Sequence, residues 1–341
     1  MRWDKIIRMA DKAGSGPDRT EAGLNHRQAD AVPLSFRQRL ASRQFAITAE
    51  IGPPRGADAA PVTEKATALR GWVDAVNITD NQGATVRLSS LGGSIAALRA
   101  GVEPIMQLTC RDRNRIALQS ELLSASALGV PNVLIMTGDH PRHGDHPDAT
   151  AVFDLDSTRL LSVATAMRDR GTLMSGAELN PPPSWLLGAV ENPPGHTVSA
   201  ADAEAAAEKA TGRLAGKINA GAQFVQTQFV FDVAAFAAWM ERVRDRGLHD
   251  RCAILAGVGP VRSRRALAHL ATIPGVVIPD DVIERLSGLG PDQLRAEGEK
   301  LCSEIIAQLA DVPGVAGVHV MAIGAESAIP GIIEQAGLPG R

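Results

Sequence analysis

A glutamate, Glu50, interrupts the apolar run Ile47-Thr48-Ala49-Glu50-Ile51-Gly52. A carboxyl group among apolar neighbours loses hydration, which favours the protonated form that a general acid needs. Pairing with Arg55 is the plainer structural use of the same side chain. Asp139 follows Thr137-Gly138, where a glycine lets the backbone come close to a ligand; a turn or helix-capping aspartate is the plainer alternative. Gln226 and Gln228 alternate with Val225, Thr227 and Phe229, so a strand there points both amides to one side. Paired amides suit a planar ring with mixed donors and acceptors, or equally the polar filling of a closed sheet.

The loop Asp139-His140-Pro141-Arg142-His143-Gly144-Asp145-His146 carries three imidazoles and two carboxylates, the ligand types of a zinc site. It is broken by proline and glycine and has no cysteine nearby, so solvated histidines and no metal are the expectation. Lys217, in a helix-like segment, is by default a solvated lysine. Arg262, Arg264 and Arg265 could hold a phosphate or a carboxylate tail, or form a charged outer face.

These residues need elements to position them. From Phe45 onward, eight apolar runs alternate with helix-like segments: Phe45–Ile51, Val73–Thr79, Pro104–Thr109, Val133–Thr137, Leu173–Leu179, Phe224–Phe229, Ala253–Val258 and Val315–Ile323. Near-continuous apolar runs are the pattern of parallel strands covered by helices. The helix-like segments end at Gly71, Gly101, Gly129, Gly171, Gly221 and Gly247, each suited to the left-handed residue that closes a helix. Ser199 and Asp202 are spaced as a capping box at the start of one of them. Eight such units predict a (β/α)8 barrel with extra helices between Arg262 and Asp311. A doubly wound sheet would instead want a Gly-rich turn after its first strand. Gly52-Pro53-Pro54-Arg55 stands there, and its prolines cannot donate N–H groups. Residues 1–43 read as a polar extension and 44–341 as the barrel.

Barrel chemistry gathers where strands end. The expected ends are Glu50, Asn77 with Thr79, Gln107 with Thr109, Thr137-Gly138-Asp139-His140, Glu178 with Asn180, Gln226-Thr227-Gln228, Gly257 with Gly259, and His319 followed by Glu326.

In that order these segments resemble the methylenetetrahydrofolate reductases over about Phe45 to Ile329. The pieces that carry the likeness are Thr48-Ala49-Glu50-Ile51-Gly52-Pro53-Pro54-Arg55, Gln107-Leu108-Thr109-Cys110-Arg111-Asp112, Thr137-Gly138-Asp139-His140-Pro141, and Lys217-Ile218-Asn219-Ala220-Gly221-Ala222 leading to Thr227-Gln228-Phe229. Val315-Ala316-Gly317-Val318-His319-Val320-Met321 is similar to the branch found beside methyl-transfer pathways. The resemblance implies a flavin barrel that reduces 5,10-methylenetetrahydrofolate to 5-methyltetrahydrofolate, with FAD as cofactor and NADH or NADPH as reductant. It implies Glu50 as the proton donor, Asp139 beside both flavin and folate, and Gln228, with Gln226, on the pterin. It implies Thr79, Gln107, Thr137, Gly138, His140, Asp156, Asn180 and Lys217 as flavin-lining positions. Better-known bacterial members have histidine where Gln107 and Asn180 stand and arginine at Thr137, and this chain has no tyrosine at all. FMN, or a weakly held or absent flavin, therefore stays open. So do a pterin-binding methyltransferase without redox chemistry and a subunit needing a redox partner.

Composition bounds the rest. Hydrophobic residues at 45% exclude a largely disordered chain, and a net charge of −3 gives no overall basic field for nucleic acid or an anionic membrane. Cys110, Cys252 and Cys302 are too far apart for a disulfide framework or a paired metal motif and fit a reducing compartment. With no apolar leader, a cytoplasmic protein is expected. A folate is the expected partner, and a homo-oligomer is open.

Overall fold

The computed structural model describes residues 34–194, 200–273 and 275–341. Eight parallel strands close on themselves in chain order: β1 (Ala46–Ile51), β2 (Ala75–Ile78), β3 (Pro104–Thr109), β4 (Asn132–Met136), β5 (Leu186–Glu191), β6 (Phe224–Phe229), β7 (Ala253–Val258) and β8 (Val315–Val320). β1 pairs with β8 through Thr48 and His319, which closes the barrel. Helices α1 (Phe36–Ala41), α2 (Ala60–Leu69), α3 (Ser90–Arg99), α4 (Arg115–Ala127), α5 (Ser157–Arg170) and α6 (Ala200–Asn219) precede or follow the first strands. α7 (Val233–Asp245) and α8 (Leu248–Arg251) lead into β7. α9 (Arg264–Leu270), α10 (Asp280–Leu286) and α11 (Pro291–Ala310) fill the expected long connection before β8, and α12 (Ile329–Gln335) follows it. This is the (β/α)8 barrel that the alternation predicts.

All six helix-closing glycines have positive φ, from 61° at Gly171 and Gly247 to 112° at Gly221. Ser199, half of the expected capping box, lies outside the described residues.

Seven of the eight expected strands are present within a few residues; the fifth is corrected. Leu173–Leu179 forms a tight antiparallel excursion in which Leu173 N donates to Ala177 O and Leu179 N donates to Gly171 O. A glycine at its centre, Gly176, turns the chain back instead of extending it. β5 begins only after Pro181-Pro182-Pro183, and it ends at Glu191. Asn180 therefore precedes β5, at the opposite end of the barrel from its mouth, and Glu178 is exposed.

Inward positions step in twos from an apolar floor to a polar mouth: Ala46, Thr48 and Glu50 on β1; Ala75, Asn77 and Thr79 on β2; Ile105 and Gln107 on β3; Phe224 and Gln226 on β6. The floor is a separate apolar cluster of Ala46, Ala75, Ile105, Leu134, Leu186, Phe224 and Leu255, closed by Phe36 from α1. Phe36 is fully buried, its ring edge-on to Phe224 at 5.3 Å. α1 falls on the extension side of the expected boundary at residue 44, yet its Phe36 seals the barrel. The larger core lies between strands and helices. Among the described residues no helix is long and apolar enough to cross a membrane.

Phe36→Ala should destabilise the fold by about 3–5 kcal/mol, the usual cost of emptying a buried aromatic site. Urea unfolding of both proteins measures it, and a loss below about 1 kcal/mol would show that α1 does not close the floor.

Candidate active site

A cavity of about 1050 Å³ opens at the carboxyl ends of the strands, at the top of the range of roughly 300–1,000 Å³ for small-ligand sites. Glu50, Thr79, Gln107, Thr137, Gly138, Asp139, Lys217, Gln226 and Gln228 all line it. Nine of the expected site residues thus meet in one space. Asn180 does not, for the reason given above. His140 does not line it either: its imidazole lies against Phe153, 6.1 Å between ring centres, and its Nδ1 accepts from Arg142 N. Asp156 caps α5, its carboxylate accepting from Arg159 N, one residue before the cavity-lining Ser157.

Glu50 is 7% exposed. Its Oε2 accepts from Gln107 Nε2 at 3.1 Å and lies 3.8 Å from His319 Nε2. Arg55, the alternative partner, faces Asp145 instead. Beneath Glu50, Asn77 Nδ2 donates to Gln226 Oε1 at 2.6 Å, while Gln226 Nε2 donates to Asn77 Oδ1 and to Thr48 Oγ1, both at 3.1 Å. Gln226 is thus committed to the barrel's own polar layer. Gln228 sits one step nearer the mouth. The strict alternation fails between the two amides, because three residue steps along β6 (Gln226 to Phe229) match two along β7 (Leu255 to Gly257). Thr227 holds this bulge: its hydroxyl accepts from Gly257 N and donates to Gln228 O, both at 2.9 Å. Gly257 cannot carry a side chain here, since a Cβ would lie 2.3 Å from Thr227 O. Gln228 Oε1 accepts from Phe229 N, leaving Nε2 as the donating end of the amide.

Gly138 has φ 84°, and a Cβ on it would meet Thr109 Cβ at 2.9 Å. Only glycine passes there, and it delivers Asp139 to the rim, where the carboxylate is exposed.

Several contributors escaped the sequence reading. Asp80, buried at the end of β2, accepts from Thr109 N and Thr109 Oγ1 at 2.9 Å and from both terminal nitrogens of Arg113. Glu191, buried at the end of β5, takes Lys217 Nζ at 2.6 Å and Arg213; the misplaced fifth strand hid it, although Leu186-Leu187-Gly188-Ala189-Val190-Glu191 is itself an apolar run ending in an acid. Lys217 also donates to Val190 O. Arg262 lines the cavity while pairing with Glu299, and Arg264 turns to Leu289 O, so the three arginines do not converge. In the histidine loop, His143 accepts from Arg142 Nε and His146 meets Asp145; among the described residues no group of three or more histidine, cysteine or acidic side chains could hold a metal ion.

A closed barrel with a buried acid and amide-lined mouth defines a class of small-molecule site. The family model described as methylenetetrahydrofolate reductase matches residues 35–337, and the chain belongs to that family. It is 25% identical over 239 residues to methylenetetrahydrofolate reductase 1 of Schizosaccharomyces pombe, covering 70% of this chain and 36% of that protein. It is 25% identical over 308 residues to a probable methylenetetrahydrofolate reductase (NADPH) of Caenorhabditis elegans, covering 87% and 43%. The chain thus spans less than half the length of these relatives. An uncharacterized protein from Clostridium thermocellum that binds two copies of 5-methyl-5,6,7,8-tetrahydrofolic acid has a similar fold, with TM-score 0.61 at 15% identity over 87% of this chain and 96% of that one.

Burial, aided by the charge of Asp156, pushes the Cys110 thiol up to about 12, and burial likewise raises Cys252 and Cys302. All three should resist a thiol reagent at pH 8 in the native protein and react once it is unfolded. A thiol that reacts before unfolding would contradict the burial.

Proposed function

We propose that this chain reduces 5,10-methylenetetrahydrofolate to 5-methyltetrahydrofolate, with NADH or NADPH as the source of electrons and a flavin, FAD by resemblance, bound in the same mouth. The observation that carries the reading is Glu50: a buried carboxyl group, held by Gln107, in a cavity whose other wall carries the Gln228 amide. Family membership and the folate bound by the Clostridium thermocellum protein support it.

The residues present fit a flavin. Thr79 Oγ1 is buried in the cavity wall without a hydrogen-bond partner, and a buried hydroxyl normally has one; a ring-edge nitrogen or oxygen would supply it. Thr79, Gln107, Thr137, Gly138, Asp139 and Lys217 would hold the ring. Lys217 has two hydrogens committed to Val190 O and Glu191, so one of its three donors is left for a ligand. When bound, the flavin supplies the hydride.

The protein's own part is proton handling and orientation. The substrate's bridging carbon becomes electrophilic only when a proton reaches one of the two nitrogens that hold it, breaking that C–N bond and leaving an iminium. Glu50 holds that proton on its carboxyl oxygen and becomes a carboxylate as it leaves. Gln107 Nε2 donates to the oxygen that then carries the charge. Gln228 meets the polar edge of the pterin, and the apolar floor under Gln226 excludes water from below.

Purified protein supplied with methylenetetrahydrofolate and either nicotinamide should form methyltetrahydrofolate as the nicotinamide is oxidised. Methyl exchange onto a corrinoid without nicotinamide oxidation would replace this reading with the methyltransferase one.

Glu50→Gln should keep the fold and any flavin but lower folate reduction on the order of 10²-fold or more, the worth of a positioned acid. Flavin reduction by nicotinamide, followed by its visible absorbance, should be nearly unaffected. Near-normal folate turnover in the variant would remove Glu50 from the reaction.

Gln228→Ala should weaken folate binding roughly ten- to a hundredfold, because pterin polar groups are left buried and unpaired, without changing flavin content. Equal affinity by titration calorimetry would make the amide mere filling.

A further inference from the structure

We infer that His319 is a positioning residue for Glu50: a buried hydrogen-bond chain holds its imidazole with the proton on Nε2, and that N–H steadies the Glu50 carboxylate formed when the acid gives up its proton. The inference rests on the reading of Glu50 as proton donor.

The chain follows from counting donors. Gln226 Nε2 has two hydrogens, and its two acceptors are Asn77 Oδ1 and Thr48 Oγ1, both at 3.1 Å. Its Oε1 is taken by Asn77 Nδ2 at 2.6 Å. Thr48 Oγ1 therefore accepts from Gln226 and has one hydrogen of its own to give. Two acceptors are within reach: His319 Nδ1 at 3.0 Å and Val318 O at 3.4 Å. The nearer is the better hydrogen bond. Nδ1 is thus the accepting nitrogen, and a neutral imidazole that accepts at Nδ1 carries its hydrogen on Nε2. Nε2 faces Glu50 Oε2 at 3.8 Å, longer than a hydrogen bond. Catalytic contacts of this kind are often long before substrate binds and tighten in the complex.

Backbone register makes the arrangement rigid. His319 pairs with Thr48 across the β1–β8 seam, and Asn77 pairs with Glu50 across β1–β2. His319 is 3% exposed and Thr48 is fully buried. One residue of slip in either seam would turn Glu50 away from the interior and break the chain.

The role fits the reaction's charge balance. Glu50 begins neutral and ends ionised. Gln107 Nε2 already donates to Oε2, and His319 adds a second N–H on the same oxygen, so both donors strengthen as charge appears there. An interaction that gains strength as the reaction proceeds lowers the barrier and leaves substrate affinity alone.

Nitrogen-15 spectra of histidine-labelled full-length protein test the tautomer directly, with the His319 signal assigned by its loss in His319→Gln. A neutral imidazole with hydrogen on Nε2 is expected; hydrogen on Nδ1 overturns the inference. Thr48→Val, which removes the hydroxyl and keeps the shape, should shift that signal, and Thr48→Ser should restore it. An unchanged signal in Thr48→Val also overturns it. In steady state His319→Gln should lower kcat for methylenetetrahydrofolate about tenfold or more with little change in KM, and Glu50→Gln/His319→Gln should be no slower than Glu50→Gln alone. Unchanged kcat in His319→Gln, with Glu50→Gln inactive, sinks the role of His319 and spares that of Glu50. An active Glu50→Gln sinks the reading on which both rest. If His319→Gln does not fold, His319→Asn and the Thr48 pair carry the same comparison.

Discussion

Across the middle of the barrel, Asn77 and Gln226 exchange hydrogen bonds between strands that are not neighbours. A buried amide that loses its partner costs about 1–3 kcal/mol, and here each amide satisfies the other. That mutual satisfaction lets polar groups occupy a layer that barrels normally fill with branched apolar side chains. Above it the wall can carry buried polar groups among apolar ones such as Leu134, Val190 and Phe229, because Thr48, His319 and Gln107 are each anchored directly or at one remove to this pair or to Glu50. Below it lies the apolar floor cluster. The site is the upper face of a polar stratum whose own hydrogen bonds close among themselves.

Much of this was legible from residue types. The ends of the apolar runs placed Glu50, Thr79 and Gln107 at the mouth, alternation paired Gln226 with Gln228, and the helix-closing glycines marked where each unit ends, since left-handed backbone leaves few other choices. Two things were hidden. Leu173–Leu179 is as apolar as a strand, and nothing local shows that it folds back on itself; only closure of the barrel shows that the strand beside β4 must be Leu186–Glu191. The β6 bulge was hidden for a related reason. Gln226 and Gln228 obey perfect alternation on paper, and the extra residue appears only when Thr227 meets Gly257 on another strand. Local pattern records which side a residue prefers; it does not record which neighbour arrives.

The histidine loop and the three arginines show the opposite case. Their composition promised a site, yet His140, His143 and His146 are engaged separately with Phe153, Arg142 and Asp145, and Arg262 is the one arginine of its group on the cavity wall. Convergence, not composition, makes a site. Glu50 and His319 lie 269 positions apart in sequence and converge across the seam where the barrel closes.

The Phe36 seal turns the barrel into a blind cup. Among the described residues the floor offers no second exit below Glu50. Two ligands that both use this mouth therefore have two options: stand together in about 1050 Å³, or take turns, the first departing before the second arrives. The choice between them is a matter of traffic through the opening that the described residues surround.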